Sequence, residues 1–118
     1  MSTADDPAGD DRRLFHIASP ADAAALAAVG MLRPPSLESE GFVHLSTARQ
    51  VLGSTERHYA GDADLVLIEI DPDGLVDEVR WPEVYPGEHF PHLHGPLRHE
   101  SVVAIHPWSA ADRGAWPV

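Results

Sequence analysis

The stretch from residue 14 to residue 30, LFHIASPADAAALAAVG, decides the fold class because two kinds of element follow each other directly in it. In its first five residues, alternation with a period of two places Phe15 and His16 on opposite faces, as in a β-strand. Ser19 then suits a helix N-cap, the proline after it suits the first helical position, and Gly30 suits the residue after the last turn. The stretch therefore predicts a strand followed by a helix.

The next residues repeat this order. Residues 41–46 (GFVHLS) alternate as a second strand, and residues 47–50 match a capping box that begins a second helix, which ends at Gly61. Residues 64–70 form the most apolar stretch and predict a central strand.

The second half of the chain is rich in turn residues. Asp71-Pro72-Asp73-Gly74 predicts a turn, so residues 75–81 are expected to pair with the central strand as a hairpin. Prolines predict a loop without a helix at residues 33–36 and a long loop at residues 82–99, before a final strand at residues 101–106. The order β-α-β-α-β-β-loop-β predicts an α+β fold with two helices and a mainly antiparallel sheet.

Length and charge bound the organisation of the chain. Its 118 residues fit one domain, and the formal net charge is −11 with histidine neutral. Residues 1–13 hold four aspartates and no apolar residue larger than methionine, so they predict a flexible acidic tail before a single domain at residues 14–118.

Composition also excludes several classes of function. Without cysteine there is no disulfide scaffold, thiolate zinc site or cysteine nucleophile. The negative charge disfavours non-specific binding of nucleic acids, and the longest apolar run, residues 65–68, is far shorter than a membrane span. Because no basic, apolar leader opens the sequence, the expected location is the cytoplasm, without a membrane partner.

Five of the eight histidines lie between residues 89 and 106, and two of them form an H-x-H pair. In extended backbone, the side chains of His92 and His94 project from the same side about 7 Å apart. That spacing suits a divalent metal with a third ligand from His44, His16 or a carboxylate. The alternative is that both histidines are hydrogen-bonded loop residues without a metal.

Other polar residues lie on predicted strands. If their strands line one cleft, His16, His44 and Ser46 present donors and acceptors to a ligand; alternatively, they have structural roles only. A serine nucleophile is disfavoured because no G-x-S-x-G motif is present, and glycine-rich phosphate loops are absent. The candidate catalytic carboxylates are Glu69 and Glu83. Burial in the apolar strand would raise the pKa of Glu69 unless it is paired, and the favoured alternative is that Glu69 faces solvent at a sheet edge.

Two separated blocks of sequence, together with the first strand, resemble a bacterial family labelled domain of unknown function 952. The blocks are residues 36–46 (SLESEGFVHLS) and residues 90–97 (FPHLHGPL), and they follow residues 15–18 (FHIA) in the family's order. The resemblance extends from about Leu14 to the C-terminus. The chain departs from the family pattern at Ala23, where a tryptophan is frequent, and at His94, where a tyrosine is common. It also reads Trp81-Pro82-Glu83 where the family usually has a Trp-Glu pair.

The resemblance implies a fold and a type of cleft. The family is similar to the ADP-ribosyltransferase and RNA 2′-phosphotransferase architecture, a split antiparallel sheet around a nicotinamide-dinucleotide (NAD) cleft. By this analogy His16 would contact ribose, and the stretch from His44 to Thr47 would form the second element of the cleft.

The sequence therefore predicts a pocket for a small polar, nucleotide-like ligand, with glycosyl or ADP-ribosyl transfer as the first reaction to test. The expected catalytic residues are His16, His44 and Glu83, and the expected ligand contacts are Ser46, Arg49, His92 and His94. The alternative is a non-catalytic module that binds a metal through histidines or responds to pH through their titration.

Overall fold

The computed structural model describes residues 12–59, 61, 64–109, 112, 113 and 116. The helices are α1 (Pro20–Val29), α2 (Pro35–Glu40) and α3 (Val51–Tyr59). The strands are β1 (Leu14–Ala18), β2 (Met31–Leu32), β3 (Val43–His44), β4 (Ser46–Thr47), β5 (Val66–Ile70), β6 (Val79–Arg80), β7 (Glu83–Tyr85), β8 (Glu88–His89), β9 (His92–Leu93), β10 (Leu97–Arg98) and β11 (Val102–Pro107).

The described strands pair antiparallel in four groups. A four-stranded sheet has the order β11-β5-β1-β4, and a three-stranded sheet has the order β3-β9-β6. Two ribbons, β2 with β10 and β7 with β8, complete the arrangement. The prediction of a small α+β fold with mostly antiparallel pairing is confirmed.

Strand β1 and helix α1 form as the sequence predicts. The strand is buried on both faces: Phe15 packs in a cluster with Leu67 and Trp108, while Leu14 packs in a second, larger cluster. The Ser19 side chain caps α1 by accepting a hydrogen bond from the main-chain N–H of Asp22, the third residue of the helix, at 3.1 Å. A left-handed glycine ends the helix.

The prediction that prolines exclude a helix at residues 33–36 is wrong. Helix α2 begins at Pro35, and Pro34 precedes it as an N-cap residue in extended conformation. A proline at the first helical position loses no hydrogen bond, since the N–H there has no intrahelical partner. The residue before it is extended because a following proline disfavours helical backbone. Helix α2 is therefore an additional α-helix beside the two that the sequence predicts.

Two predicted strand assignments are also wrong. Residues 41–46 contain two strands, not one: β3 pairs with β9, and β4 pairs with β1 in a different sheet. Residues 75–81 do not pair with the central strand, because β5 lies between β1 and β11 and only Val79–Arg80 pair, with β9. The central position of β5 itself is confirmed, and the larger core cluster packs around it.

Residues 82–99 are not a loop but contain four short strands, β7 to β10. The four prolines lie outside these strands, so none of them removes a hydrogen bond from a pair. Of the predicted acidic tail, residues 1–11 lie outside the described residues, and Arg13 forms an ion pair with Glu69 at 3.5 Å. Among the described residues, none of the helices combines the length and apolar character that crossing a bilayer requires.

Candidate functional site

A cavity of about 540 Å³ opens where the two larger sheets approach each other. The chain crosses from the three-stranded to the four-stranded sheet between His44 and Ser46, so residues of both sheets line it. The volume lies within the range of small-molecule pockets. The lining also draws on α2, α3 and the β7–β8 ribbon, and its polar members include His16, Ser36, Glu40, His44, Ser46, Ser54, Arg57, His58, Tyr59, Tyr85 and His92.

His16 projects from β1 into this cavity and is only 8% exposed. Its Nδ1 lies 2.9 Å from the main-chain carbonyl oxygen of His44. Because a carbonyl oxygen only accepts, Nδ1 carries the hydrogen and donates. Burial lowers the pKa of His16 from its ordinary value of 6.5, partly offset by this hydrogen bond and by the charge of Asp22. His16 is thus held neutral at pH 7, with the lone pair on Nε2.

His92 lies in β9 opposite His44 and is also 8% exposed. The ring of Phe42 stacks on it, with centroids 3.8 Å apart and planes 6° from parallel. Burial lowers the pKa of His92, and the nearby imidazoles of His44 and His94 lower it further. The lining of the cavity thus contains a stacked pair of aromatic rings, Phe42 and the imidazole of His92.

His44 lies at the cavity rim beside an acid. Its Nε2 is 3.3 Å from Oε2 of Glu40, and both side chains are about half exposed. The spacing of four residues is helical, but Glu40 is the last residue of α2 and His44 belongs to β3. The carboxylate of Glu40 thus lines the cavity from helix α2, although the sequence predicts a loop where that helix begins.

Two hydroxyls and one cation come from the other side. Ser46 on β4 is buried, and its Oγ lies 3.1 Å from Oγ of Ser54 on α3. One turn further along, the guanidinium of Arg57 lies over the ring of Tyr85, 4.5 Å from the centroid, and 5.7 Å from that of Phe90. Arg57 is the single Arg among the described residues of the lining.

Of the predicted site residues, the structure brings His16, His44, Ser46 and His92 to this cavity. The other three are not among its lining residues. Arg49 is exposed, His94 lies beyond Phe42 with ring centroids 5.6 Å apart, and the Glu83 carboxylate accepts the Gly87 N–H at 2.6 Å in the β7–β8 turn.

Glu69, the other candidate carboxylate, is also remote from the cavity. It accepts a hydrogen bond from His106 at 2.9 Å and pairs with Arg13, so its burial is offset by two partners. In the described part of the chain, no group of three His, Asp or Glu side chains is arranged to hold a metal ion. Within the described residues, the H-x-H pair thus has no third ligand.

Sequence reasoning missed Glu40, Ser54 and Arg57 as cavity residues. Ser54 and Arg57 are three residues apart on α3, next to the apolar stripe that contains Val51 and Thr55. Polar residues flanking a buried stripe face the groove beside the helix, so this spacing was the available signal.

The sequence model of the family described as "Protein of unknown function (DUF952)" matches residues 17–105. No curated protein matches the chain significantly.

Similar solved structures are those of protein CC0527 from Caulobacter crescentus. Its crystal structure has a TM-score of 0.74 and 28% identity, covering 80% of this chain and 84% of that one. Its solution NMR structure has a TM-score of 0.72 and 27% identity, covering 83% and 85%. Neither is described as an ADP-ribosyltransferase, so the likeness supports the α+β fold without the finer assignment.

Proposed function

We propose that this chain, which belongs to the DUF952 family, binds a small polar ligand in the cavity around His16. One observation carries the proposal: Nε2 of the nearly buried His16 has no hydrogen-bond partner among the described residues. Because His16 lines the cavity, a hydroxyl or N–H of a ligand there can donate to this lone pair in place of water. The carbonyl of His44 fixes the ring so that this acceptor keeps its direction.

The other lining residues indicate which chemical groups such a ligand has. The guanidinium of Arg57 suits a phosphate or carboxylate, which it can bind through two parallel hydrogen bonds. The stacked rings of Phe42 and His92 suit a planar group, since aromatic faces stack well on each other. The hydroxyls of Ser46 and Ser54 add adaptable donors between these features. A nucleotide combines an anion, a planar base and hydroxyls.

Glycosyl or ADP-ribosyl transfer is the reaction that these groups support, with His16 in its expected role at the ribose and His44 in a different one. Nε2 of His16 would accept a hydrogen bond from a ribose hydroxyl, and His44 would hold the carboxylate of Glu40. Glu40 takes the role expected of Glu83, because Glu40 lines the cavity and Glu83 does not. A carboxylate there would stabilise the positive charge that develops on a sugar when its glycosidic bond breaks.

Binding is tested by titrating the ¹⁵N- and ¹³C-labelled protein with AMP, ADP-ribose and NAD⁺, following the His16 imidazole by NMR and the heat by calorimetry. His16→Asn is the decisive variant, because its amide N–H occupies the place of Nδ1–H and keeps the bond to His44 while removing Nε2. We expect the wild type to bind at least one probe and His16→Asn to lose about tenfold in affinity, the effect of one hydrogen bond.

The matched control is His99→Gln, at an exposed histidine outside the cavity. It should bind as the wild type does. No heat and no shift of His16 or His44 with any of the three probes would overturn the proposal. Release of nicotinamide from NAD⁺, lost in Glu40→Gln and kept in Glu83→Gln, would assign the reaction.

A further inference from the structure

A second cavity, of about 490 Å³, adjoins the first. The two cavities share five lining residues: His16, Ile17, Pro34, Pro35 and Tyr59. The two cavities are therefore neighbouring chambers of one cleft, between the end of β1 and the start of α2. We refer to the chamber lined by Arg57 as the first chamber and to the other as the second chamber.

The two chambers differ in charge. Asp22, in the first turn of α1, and Asp64, two residues before β5, line the second chamber. Among the described residues that line this chamber, none is an arginine or a lysine. The first chamber has Arg57, while its carboxylate, Glu40, is held beside His44. The first chamber thus offers one cation, Arg57, to a ligand, whereas the second chamber offers two carboxylates.

His16 stands at the junction of the two chambers. It is nine-tenths buried, lines both chambers, and has on Nε2 an acceptor without a partner among the described residues. Asp22 is close enough for its charge to raise the pKa of His16 against the larger effect of burial. A ligand that reaches Nε2 from the first chamber is therefore already within the field of the acidic end.

We infer that the second chamber is a subsite for a cationic group, so that the cleft takes a dipolar ligand. Its anion would bind Arg57, a hydroxyl or N–H would donate to Nε2 of His16, and an ammonium or ring cation would lie between Asp22 and Asp64. The inference rests on the proposed function, because it extends the same ligand into the second chamber. Opposite charges at the two ends also exclude a reversed ligand, since like charges would then face each other.

The test uses two fragments, benzylamine as the cation and phenyl phosphate as the anion, titrated into the ¹⁵N-labelled full chain. Benzylamine should shift the amide signals of Asp22 and Asp64, and phenyl phosphate those of Ser54 and Arg57. Both fragments should shift the His16 imidazole, and each should still bind when the other is saturating.

Variants separate the two subsites. The double change Asp22→Asn with Asp64→Asn should weaken the affinity for benzylamine about tenfold, because both carboxylate charges near its ammonium are lost. The affinity for phenyl phosphate should stay within about twofold of the wild type. Arg57→Gln should do the reverse. Glu100→Gln, at an exposed acid outside both chambers, is the control and should change neither affinity. Asp22 also complements the dipole of α1, so unfolding is measured for each variant to show that the fold is kept.

The outcomes distinguish this inference from the function it extends. If phenyl phosphate and a nucleotide bind the first chamber but benzylamine shifts no signal in the second, the dipolar ligand is overturned and the proposed function stands. If benzylamine binds equally to the wild type and to the double variant, the acidic subsite is overturned. If no probe binds either chamber, both proposals fail.

Discussion

The Nδ1–H of His16 donates to the main-chain carbonyl of His44 across 2.9 Å, and this hydrogen bond joins the two larger sheets. His16 belongs to the four-stranded sheet and His44 to the three-stranded sheet. The bond lies where the chain crosses from one sheet to the other, so it fixes both the imidazole and the cavity wall. The same hydrogen bond therefore orients the site's imidazole and holds the two sheets together.

The lowered pKa values of His16 and His92 predict a loss of stability in acid. Below the ordinary value of 6.5, the unfolded chain takes up protons at these positions before the folded chain does. The contribution of these two neutral imidazoles to the free energy of unfolding should therefore be complete above pH 7. It should fall as the pH drops through 6.5 and level off below the pKa values of the folded chain. Urea unfolding between pH 7.5 and 5 measures this slope.

The variant His16→Asn should flatten part of that slope, because asparagine does not titrate. The charged and titratable groups around the two imidazoles, Asp22 and His44 for His16 and Glu40, His44 and His94 for His92, are left unchanged in this variant. The control His99→Gln should keep the wild-type slope. Equal slopes for His16→Asn and the wild type would contradict the assignment of His16.

A buried hydrogen bond links α3 to the residue after β11. The Nε1–H of Trp108 donates to Oγ1 of Thr55 at 3.0 Å, and Thr55 donates in turn to the carbonyl of Val51 at 2.8 Å. Thr55→Val keeps the shape and leaves the indole N–H buried without a partner, so we expect a loss of about 1–3 kcal/mol in the free energy of unfolding. Thr55→Ser, which keeps the hydroxyl, should lose less. If the two variants unfold at the same urea concentration, the hydrogen bond contributes nothing.

The elements predicted from the sequence are those that local chemistry determines. Helix α1 has its cap, its proline and its terminal glycine within twelve residues, and its observed bounds match them. The partner of β5 could not be predicted in this way. Its neighbours are β1 and β11, which lie far away in sequence, and the choice depends on which apolar faces pack together. Two-residue strands such as β9 are too short to show any periodicity.

The residues of the candidate site also divide into those that a local sequence pattern identifies and those whose position depends on tertiary packing. His16, His44 and His92 were predicted because they sit in recognisable blocks of sequence, and all three line the cavity. Arg57 was missed because its position depends on which groove α3 faces and on the β7–β8 ribbon, whose Tyr85 lies beneath the guanidinium. The prolines of residues 82–99 led to the prediction of a loop instead of this ribbon, because a loop and a short hairpin have similar compositions.

Arg57 is expected to contribute more to anion binding than to stability. Arg57→Lys keeps the charge but loses the planar guanidinium, so phenyl phosphate should bind less tightly than to the wild type and more tightly than to Arg57→Gln. Loss of the contact with Tyr85 should cost about 0.5–1 kcal/mol of stability, as for other exposed cation–π pairs. Wild-type affinity should also fall with added salt, which screens exposed charges. Tight, salt-independent binding by Arg57→Gln would show that the anion binds elsewhere.

Two glycines should respond in opposite ways to alanine. A Cβ built at Gly95 would overlap the carboxyl group of Asp77, which forms an ion pair with Arg98 at 3.8 Å. The Asp77 side chain must then move and weaken that pair, so Gly95→Ala should destabilise the fold by about 1–3 kcal/mol, as overpacking does. At Gly53, inside α3, a Cβ would lie at an ordinary 3.6 Å from the Arg57 guanidinium. Gly53→Ala should therefore stabilise the helix by about 0.5–1 kcal/mol.

Urea unfolding of both variants measures the difference, and a double variant tests its cause. Asp77→Ala removes the overlapping group, so the destabilisation by Gly95→Ala should be smaller in the Asp77→Ala background than in the wild type. The close approach of Gly95 to Asp77 would be refuted if Gly95→Ala cost the same stability in both backgrounds. Alanine restricts the unfolded chain at both positions and thereby favours the folded state, so a loss of stability in Gly53→Ala would contradict the expected gain at that position.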